Sequence, residues 1–408
     1  MDEISRYATG IDVGTSNVRA VVASISDKGA LNVIGYGEVA NSGMRRGVVA
    51  NLSGPGEAID RVLGEAERMS GHEVNSGALS INGASITSTR TEGMIAVGAM
   101  EHEINEGDLD RVEDVAIRGR VPANQEILNI VPLQYILDGQ GGIKNPLGMV
   151  GSRLEMQANV VSILSPNYEN LRRAAEGANV TPEQIIPSVY AAARAVLTER
   201  QRENGVAVVD IGAATTGVAV FEENDLQYIG VVPVGSNNIT NDLAVMLAID
   251  TEVAEEIKRR FASGNFGMVD SPVVIRWRGK EVRFERSQVD EVVEARLEEI
   301  MELVRKELKK AHYEQRLPEG IVLTGGGAKM RDIDKYVRDI LETSVKIGVP
   351  SGLNGVADAI CKPEYAAAVG LMLLAAEGTH ENARGKKPGR KAKKSKEAGI
   401  IRRFFSKF

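Results

Sequence analysis

The stretches GIDVGTSNVRAVV (10–22) and VVDIGAATTGVAVF (208–221) decide how this chain is read. Each opens on small and β-branched apolar residues, the composition of a strand covered on both faces. Each run reaches an aspartate, Asp12 or Asp210, and then breaks into a turn of small residues. The first turn holds Gly14, Thr15, Ser16 and Asn17, and the second holds Gly212, Ala213, Ala214, Thr215 and Thr216. Small residues let backbone N–H groups approach phosphate oxygens, and the hydroxyls add donors. An aspartate at each strand end can hold a divalent cation through water, which a triphosphate needs. A third turn, Gly325-Gly326-Gly327, follows the apolar run Ile321–Thr324. One such turn is a weak signal. Two matching copies and a third glycine turn indicate two similar halves facing each other across one nucleotide. No G-x-x-x-x-G-K-[ST] occurs, and the G-x-G-x-x-A match at 35–40 falls inside an alternating strand pattern.

Working outward, residues 7–14, 17–26 and 30–40 read as three strands, followed by a helix over 53–70. Ile59, Val62, Leu63, Ala66 and Met69 would form its buried face. A further buried strand is expected at 78–81. Residues 84–160 alternate short mixed segments with Gly and Pro, and read as an inserted α/β subdomain. Helices fit 168–178 and 187–197, after which the opening pattern returns over 205–235. Helices at 237–247 and 251–261 follow, then a strand pair over 273–286 and a long charged helix over 287–313. A strand at 320–327 and helices at 330–342 and 365–376 complete the body. The 408 residues, 43% of them hydrophobic, can fill more than one core. One cysteine, Cys361, excludes an internal disulfide framework, and four scattered histidines argue against a structural zinc site. The first ten residues lack a signal-peptide pattern, and the longest apolar run, twelve residues at 365–376, is too short to span a bilayer. A cytosolic chain is expected.

The two opening stretches resemble the first and second phosphate motifs of the actin/Hsp70/sugar-kinase superfamily. IVLTGGGAKMRDI (321–333) resembles its adenosine motif, and IIPSVYAAARAVL (185–197) and PEYAAAVGLMLLA (363–375) its two hinge helices. GMRRGVVANL (43–52), the short strand-to-helix connection at 41–52, the insertion at 84–160 and the final amphipathic helix are similar to the FtsA family of bacterial cell-division proteins. The resemblance implies an α/β actin-like ATPase fold: two RNase H-like domains facing a nucleotide cleft, an inserted subdomain and a terminal amphipathic helix. The first core domain would comprise 1–83, 161–198 and 363–377, with 84–160 inserted. The second would comprise 199–243 and 318–362, with a small subdomain at 244–317. A disordered basic linker at 378–397 and a membrane-targeting helix at 398–408 would follow.

It further implies ATP and Mg²⁺ as ligands. Gly14, Thr15, Ser16 and Asn17 would face the phosphates from one side, and Gly212, Ala213, Ala214, Thr215 and Thr216 from the other. Asp12 and Asp210 would hold Mg²⁺ through water. Gly325, Gly326 and Gly327 would lie against the adenosine, and Glu255 and Lys258, in Ala254–Lys258, would form the ribose and base wall. The chain departs from the superfamily pattern in places. Its second phosphate loop is G-A-A-T-T-G in place of G-G-G-T-x-D, and Arg331-Asp332 replace a common Pro-Gly. Ser188 stands where several filament ATPases carry a glutamate that orients the attacking water, and a serine cannot be that base. ATP binding with weak or negligible hydrolysis is therefore expected. The implied function is a membrane-tethered filament protein that anchors the FtsZ ring to the cytoplasmic face of the membrane at the division site. It would also recruit other divisome proteins. The FtsZ C-terminal peptide would dock on 244–317, with Arg286 and Arg296 as contacts for its acidic groups. Two other readings stay open: a phosphotransferase of the sugar-kinase type, and an actin-like adaptor of a pilus or secretion apparatus.

The net charge of −7 hides an asymmetry. Residues 384–408 carry eleven Lys/Arg and one acid, leaving 38 bases against 55 acids in residues 1–383. On a helical wheel Ile400, Ile401, Phe404, Phe405 and Phe408 fall within ~140° of arc, opposite Arg402, Arg403, Ser406 and Lys407. A nucleic acid would use the cations but waste the five apolar side chains. An in-plane anchor on anionic lipids uses both faces. Phe404→Glu is expected to release the full chain from anionic liposomes while leaving nucleotide binding intact. Cosedimentation equal to wild type would place the tail on protein instead.

Overall fold

The computed structural model describes residues 4–98, 102–267, 271–313 and 316–384. The membrane-targeting helix expected at 398–408, and with it Ile400 to Phe408, lies outside the described residues. The first half opens with a meander, β1 (Ile4–Val13), β2 (Asn17–Ser26) and β3 (Leu31–Ala40). A two-residue hairpin, β4 (Met44–Arg45) and β5 (Val48–Val49), leads to α1 (Ser53–Ser70) and β6 (Ser76–Ile81). The α1 face expected to be buried is buried at Ile59, Val62, Leu63 and Ala66, but Met69, in the last turn, is exposed.

An insertion follows: β7 (Thr87–Ala96), α2 (Glu106–Ile117), β8 (Gln125–Leu137), β9 (Gln140–Ile143) and β10 (Arg153–Leu164). It forms its own sheet, β7-β10-β8-β9, over its own apolar cluster. The chain returns through α3 (Ser165–Gly177), β11 (Thr181–Pro187), α4 (Ser188–Val196) and α5 (Glu199–Asn204). The first sheet has the order β11-β6-β1-β2-β3. β11 escaped the sequence reading because Pro182 and Pro187 argue against a strand; both are tolerated on this edge.

The second half repeats the meander as β12 (Val206–Ile211), β13 (Thr216–Glu222) and β14 (Asp225–Val232). Next come α6 (Ser236–Met246), α7 (Thr251–Phe261), the hairpin β15 (Val273–Trp277) and β16 (Lys280–Phe284), and α8 (Arg286–Lys310). β17 (Ile321–Thr324), a 3₁₀ turn (Gly326–Lys329), α9 (Ile333–Leu341), β18 (Val345–Ile347) and α10 (Ala366–Arg384) finish the described chain. The second sheet, β14-β13-β12-β17-β18, has the first sheet's plan: three antiparallel strands, then two parallel ones. The duplication read from the two Asp/Gly turns is therefore a duplication of whole sheets.

Helices α4 and α10 lie between the sheets. Val189 of α4 packs on Gly217 of β13, and α10 packs on Gly10 of β1. The pair cross closely, because an added Cβ on Gly370 would fall 1.7 Å from the Ala191 carbonyl oxygen. The linker expected from residue 378 does not begin there, since α10 continues to Arg384. Once a helix is nucleated, further residues need no apolar periodicity to extend it. The insertion also reaches the second half. Lys144 Nζ bonds Asp225 (2.7 Å) and Glu223 (2.8 Å), and Asn159 Nδ2 donates to the Leu226 carbonyl at 3.0 Å. Among the described residues no helix is long and apolar enough to cross a membrane.

Candidate nucleotide site

The facing ends of β1 and β12 open onto one cleft of about 830 Å³. Asp12, Gly14, Thr15, Ser16, Asn17, Asp210, Gly212, Ala213, Thr215, Glu255, Lys258, Gly325, Gly326 and Gly327 all line it. The two phosphate turns have the same internal geometry. The Gly14 N–H donates to the Asn17 carbonyl at 3.1 Å, and the Gly212 N–H to the Thr215 carbonyl at 2.9 Å. Two expected residues do not reach the cleft. Thr216 is fully buried in β13, where its hydroxyl donates to the Val234 carbonyl at 2.8 Å, and Ala214 is absent from the lining. Thr216 is already part of the strand, so its side chain belongs to the sheet and not to the turn.

Side chains that the sequence reading did not single out tie the halves together. Asn82, just beyond β6, donates to Thr215 Oγ1 at 3.1 Å, and Asn237 Nδ2 donates to Ser16 Oγ at 3.0 Å. Each bond joins one half to the other. The Asn82-Gly83 pair after an apolar strand is a turn signal that could have flagged the first. Ser188, at the start of α4, donates to Asp210 Oδ2 at 3.2 Å. On α7, Lys258 pairs with Glu255 at 2.6 Å and donates to Thr240 Oγ1 at 2.8 Å.

Burial raises the Asp12 carboxyl, partly offset by a hydrogen bond with Ser80 and by the Arg19 charge. Asp210 is pushed up to about 6, first by burial and then by the Asp12 charge. Two carboxylates that resist ionising together form a natural seat for a cation. Among the described residues no group of three His, Cys, Asp or Glu could cage a metal. A pair suits Mg²⁺, which keeps several waters and takes its other ligands from phosphates. The glycine turn fits a flat ligand. Gly325 has φ 81°, and a Cβ there would lie 2.2 Å from Asp210 Oδ1, so the turn can stack directly behind the second phosphate turn. Nothing lies within 4 Å of where a Gly326 Cβ would point.

The two arginines expected to meet a peptide are otherwise engaged. Arg286 is buried and paired with Asp290 at 2.8 Å, one helical turn along α8. It is not available to a partner, contrary to expectation. Arg296 holds Asp242 through Nε (2.7 Å) and Nη2 (3.0 Å) and also pairs with Glu299. A different face of α8 is acidic, with Glu291, Glu294, Glu298 and Glu302 exposed.

Because the folded Asp210 value lies above the unfolded 3.8, the folded state binds the proton more tightly. Without ligand the protein is therefore most stable below the unfolded value and loses stability as pH rises to about 6. Asp210→Asn is expected to flatten this part of the pH dependence, gaining on the order of 2 kcal/mol over wild type by pH 7 without ligand. Equal pH profiles for the two proteins in chemical denaturation would contradict the burial argument.

Residues 207–370 match the family model described as cell division protein FtsA, and residues 83–162 the SHS2 domain inserted in FTSA. The cell division protein FtsA of Pseudomonas aeruginosa is 35% identical over 90% of this chain and 89% of its own length. That of Borreliella burgdorferi is 31% identical over 98% of both. Solved structures resemble the chain at lower identity. The PilM–PilN type IV pilus biogenesis complex has TM-score 0.67 and 17% identity, covering 91% of this chain and 98% of that one. MreB5 of Spiroplasma citri bound to ADP has TM-score 0.58 and 15% identity, covering 94% and 99%. The MamK double helical filament has TM-score 0.52 and 15% identity, covering 91% and 99%. These likenesses show an actin-like fold. With both family models matched and curated relatives aligned along most of its length, the chain belongs to the FtsA family of cell division proteins.

Proposed function

We propose that the chain binds ATP with Mg²⁺ in the cleft, self-associates, and tethers an FtsZ ring to the cytoplasmic face of the membrane at the division site. The observation that carries the nucleotide assignment is the pair of Asp/Gly turns meeting face to face in one cleft, with the Gly325–Gly327 turn behind them. In this reading the backbone N–H groups of Thr15 and Ser16 on one side and of Ala213 on the other hold phosphate oxygens, within turns that the Gly14 and Gly212 N–H bonds close. Asp12 and Asp210 take the waters of the cation, which neutralises charge on the phosphates. The adenosine lies against Gly326, walled by the Glu255–Lys258 pair. The relative crystallised with ADP, MreB5, has the same fold and supports a nucleotide as occupant.

Turnover is slow in this reading. Ser188 occupies the start of α4 and points its hydroxyl at Asp210, where it can orient a group but cannot accept a proton. The family and the amphipathic pattern at 398–408 support the tether, and the MamK filament supports self-association by a protein of this fold. Tails clustered along an assembly would hold a membrane far better than one alone. An acidic FtsZ peptide would not favour the glutamate face of α8. The β15–β16 hairpin of the same small subdomain, with Arg276 and Lys280 exposed, is the better seat.

Mg-ATP should raise the thermal midpoint of the full chain, and Asp210→Ala or Gly326→Asp should abolish that protection. Undiminished protection in both variants would overturn the site. Rapid phosphate transfer to a sugar would favour the phosphotransferase. In a separate measurement, fluorescence anisotropy with the FtsZ C-terminal peptide should show weaker binding to an Arg276→Glu, Lys280→Glu variant. Unchanged affinity would exclude the hairpin.

A further inference from the structure

The connection between β3 and α1 ends in a hairpin built against conformational preference. Met44 pairs with Val49 and Arg45 with Val48, which leaves Arg46 and Gly47 as the central residues. Both have positive φ, 50° and 80°, the pattern of a type I′ turn. That turn favours Asn, Asp or Gly at its first central position, and a long side chain there is strained. Gly47 explains where the turn sits. A Cβ on Gly47 would lie 3.0 Å from Thr215 Cγ2 and 3.1 Å from the Gly83 amide nitrogen. The tip is thus wedged between the second phosphate turn and the end of β6. Nothing inside the fold explains Arg46. Arg45 and Arg46 are both exposed, and neither guanidinium has a hydrogen-bond or ion-pair partner among the described residues.

Strain kept at a surface position with no internal use points outward. We infer that Arg45 and Arg46 form a docking tip for an acidic surface on a second copy of this chain. The inference rests on the self-association proposed above. Charge complementarity selects the occupant, because residues 1–383 carry 38 bases against 55 acids. The exposed Glu291, Glu294, Glu298 and Glu302 on α8 show such a surface, at spacings of three and four residues that place them along one helical face. The tip belongs to the first half and α8 to the second. A contact between unlike surfaces repeats from copy to copy, as a filament requires. Because Gly47 bears on Thr215, any movement of the second half shifts the support of the tip. Cleft closure therefore sets where the two cations stand.

The test uses the full chain with Mg-ATP and no lipid, comparing wild type with Arg46→Asn and with Arg45→Glu, Arg46→Glu. Arg46→Asn suits the turn better, so its thermal midpoint should rise by about 1–2 °C, with protection by Mg-ATP unchanged. Assembly followed by sedimentation should nevertheless weaken by roughly tenfold, since a charge facing an opposite charge is lost. The double reversal should assemble least, and added salt should weaken wild type toward the variants. Arg46→Asn and the double reversal assembling as wild type would overturn the docking tip. In a separate assay with anionic vesicles, loss of liposome binding by the variants with assembly intact would overturn it in favour of lipid headgroups. Failure of wild type itself to assemble with Mg-ATP would remove the self-association beneath it, an outcome distinct from both.

Discussion

Asp12 is buried and Asp210 half-buried at facing walls of one cleft, where the Asp12 charge opposes ionisation of Asp210. Much of the surrounding structure answers that constraint. Arg19 stands opposite Asp12 in the β1–β2 register and lowers both carboxyls, while Glu38, bonded at 2.6 Å, fixes its guanidinium. Tyr365 adds its ring face beneath the same arginine, 5.5 Å from centroid to guanidinium carbon. Ser80 and Ser188 supply one hydroxyl to each aspartate. These groups come from the first sheet, the start of α4 and the residue just before α10, whereas Asp210 comes from the second sheet. The carboxylate pair therefore exists only when the halves are docked.

That docking is done by α4 and α10, which turn two similar sheets into one body. Each helix packs mainly on a different sheet, and they meet at Gly370 and Ala191 without room for a methyl group. A crossing this close leaves no slack between the two helices. The polar bonds Asn82–Thr215 and Asn237–Ser16 join the halves at the cleft. Apolar packing holds the halves at the helix crossing, and polar contacts hold them at the cleft.

How much of this was legible in the sequence depended on whether the deciding physics was local. α1 and α7 carry their own apolar stripes, and both were read with the boundaries the structure has. β2 was read with the structure's bounds and β3 to within one residue, with Gly29 marking the turn between them, whereas β1 starts at Ile4 and not at residue 7. β18, three residues long, has no periodicity to read, and β11 is disguised by its prolines. At the site, the glycine turns were visible because small residues are a local signature. Asn82 and Asn237 were not, since each acquires its meaning only from a partner more than a hundred residues away. Arg286 failed for a similar reason. An arginine read at the end of a strand pair, just before a charged helix, looks exposed, and only the tertiary packing that covers it, beside Asp290, says otherwise. Thr216 shows the finest limit, because one step into a strand turns a side chain from the cleft into the sheet.

Helix α10 packs against the first sheet, crosses α4, and then runs on without a break to Arg384. The remaining 24 residues of the chain follow it in sequence. Any tension on that segment enters the protein along the helix axis, at the layer between the two sheets. A helix loaded along its axis resists by shearing all its side-chain contacts at once, not by peeling them one by one. Mechanical load from the C-terminal end would thus be delivered to the element that sets the angle between the halves.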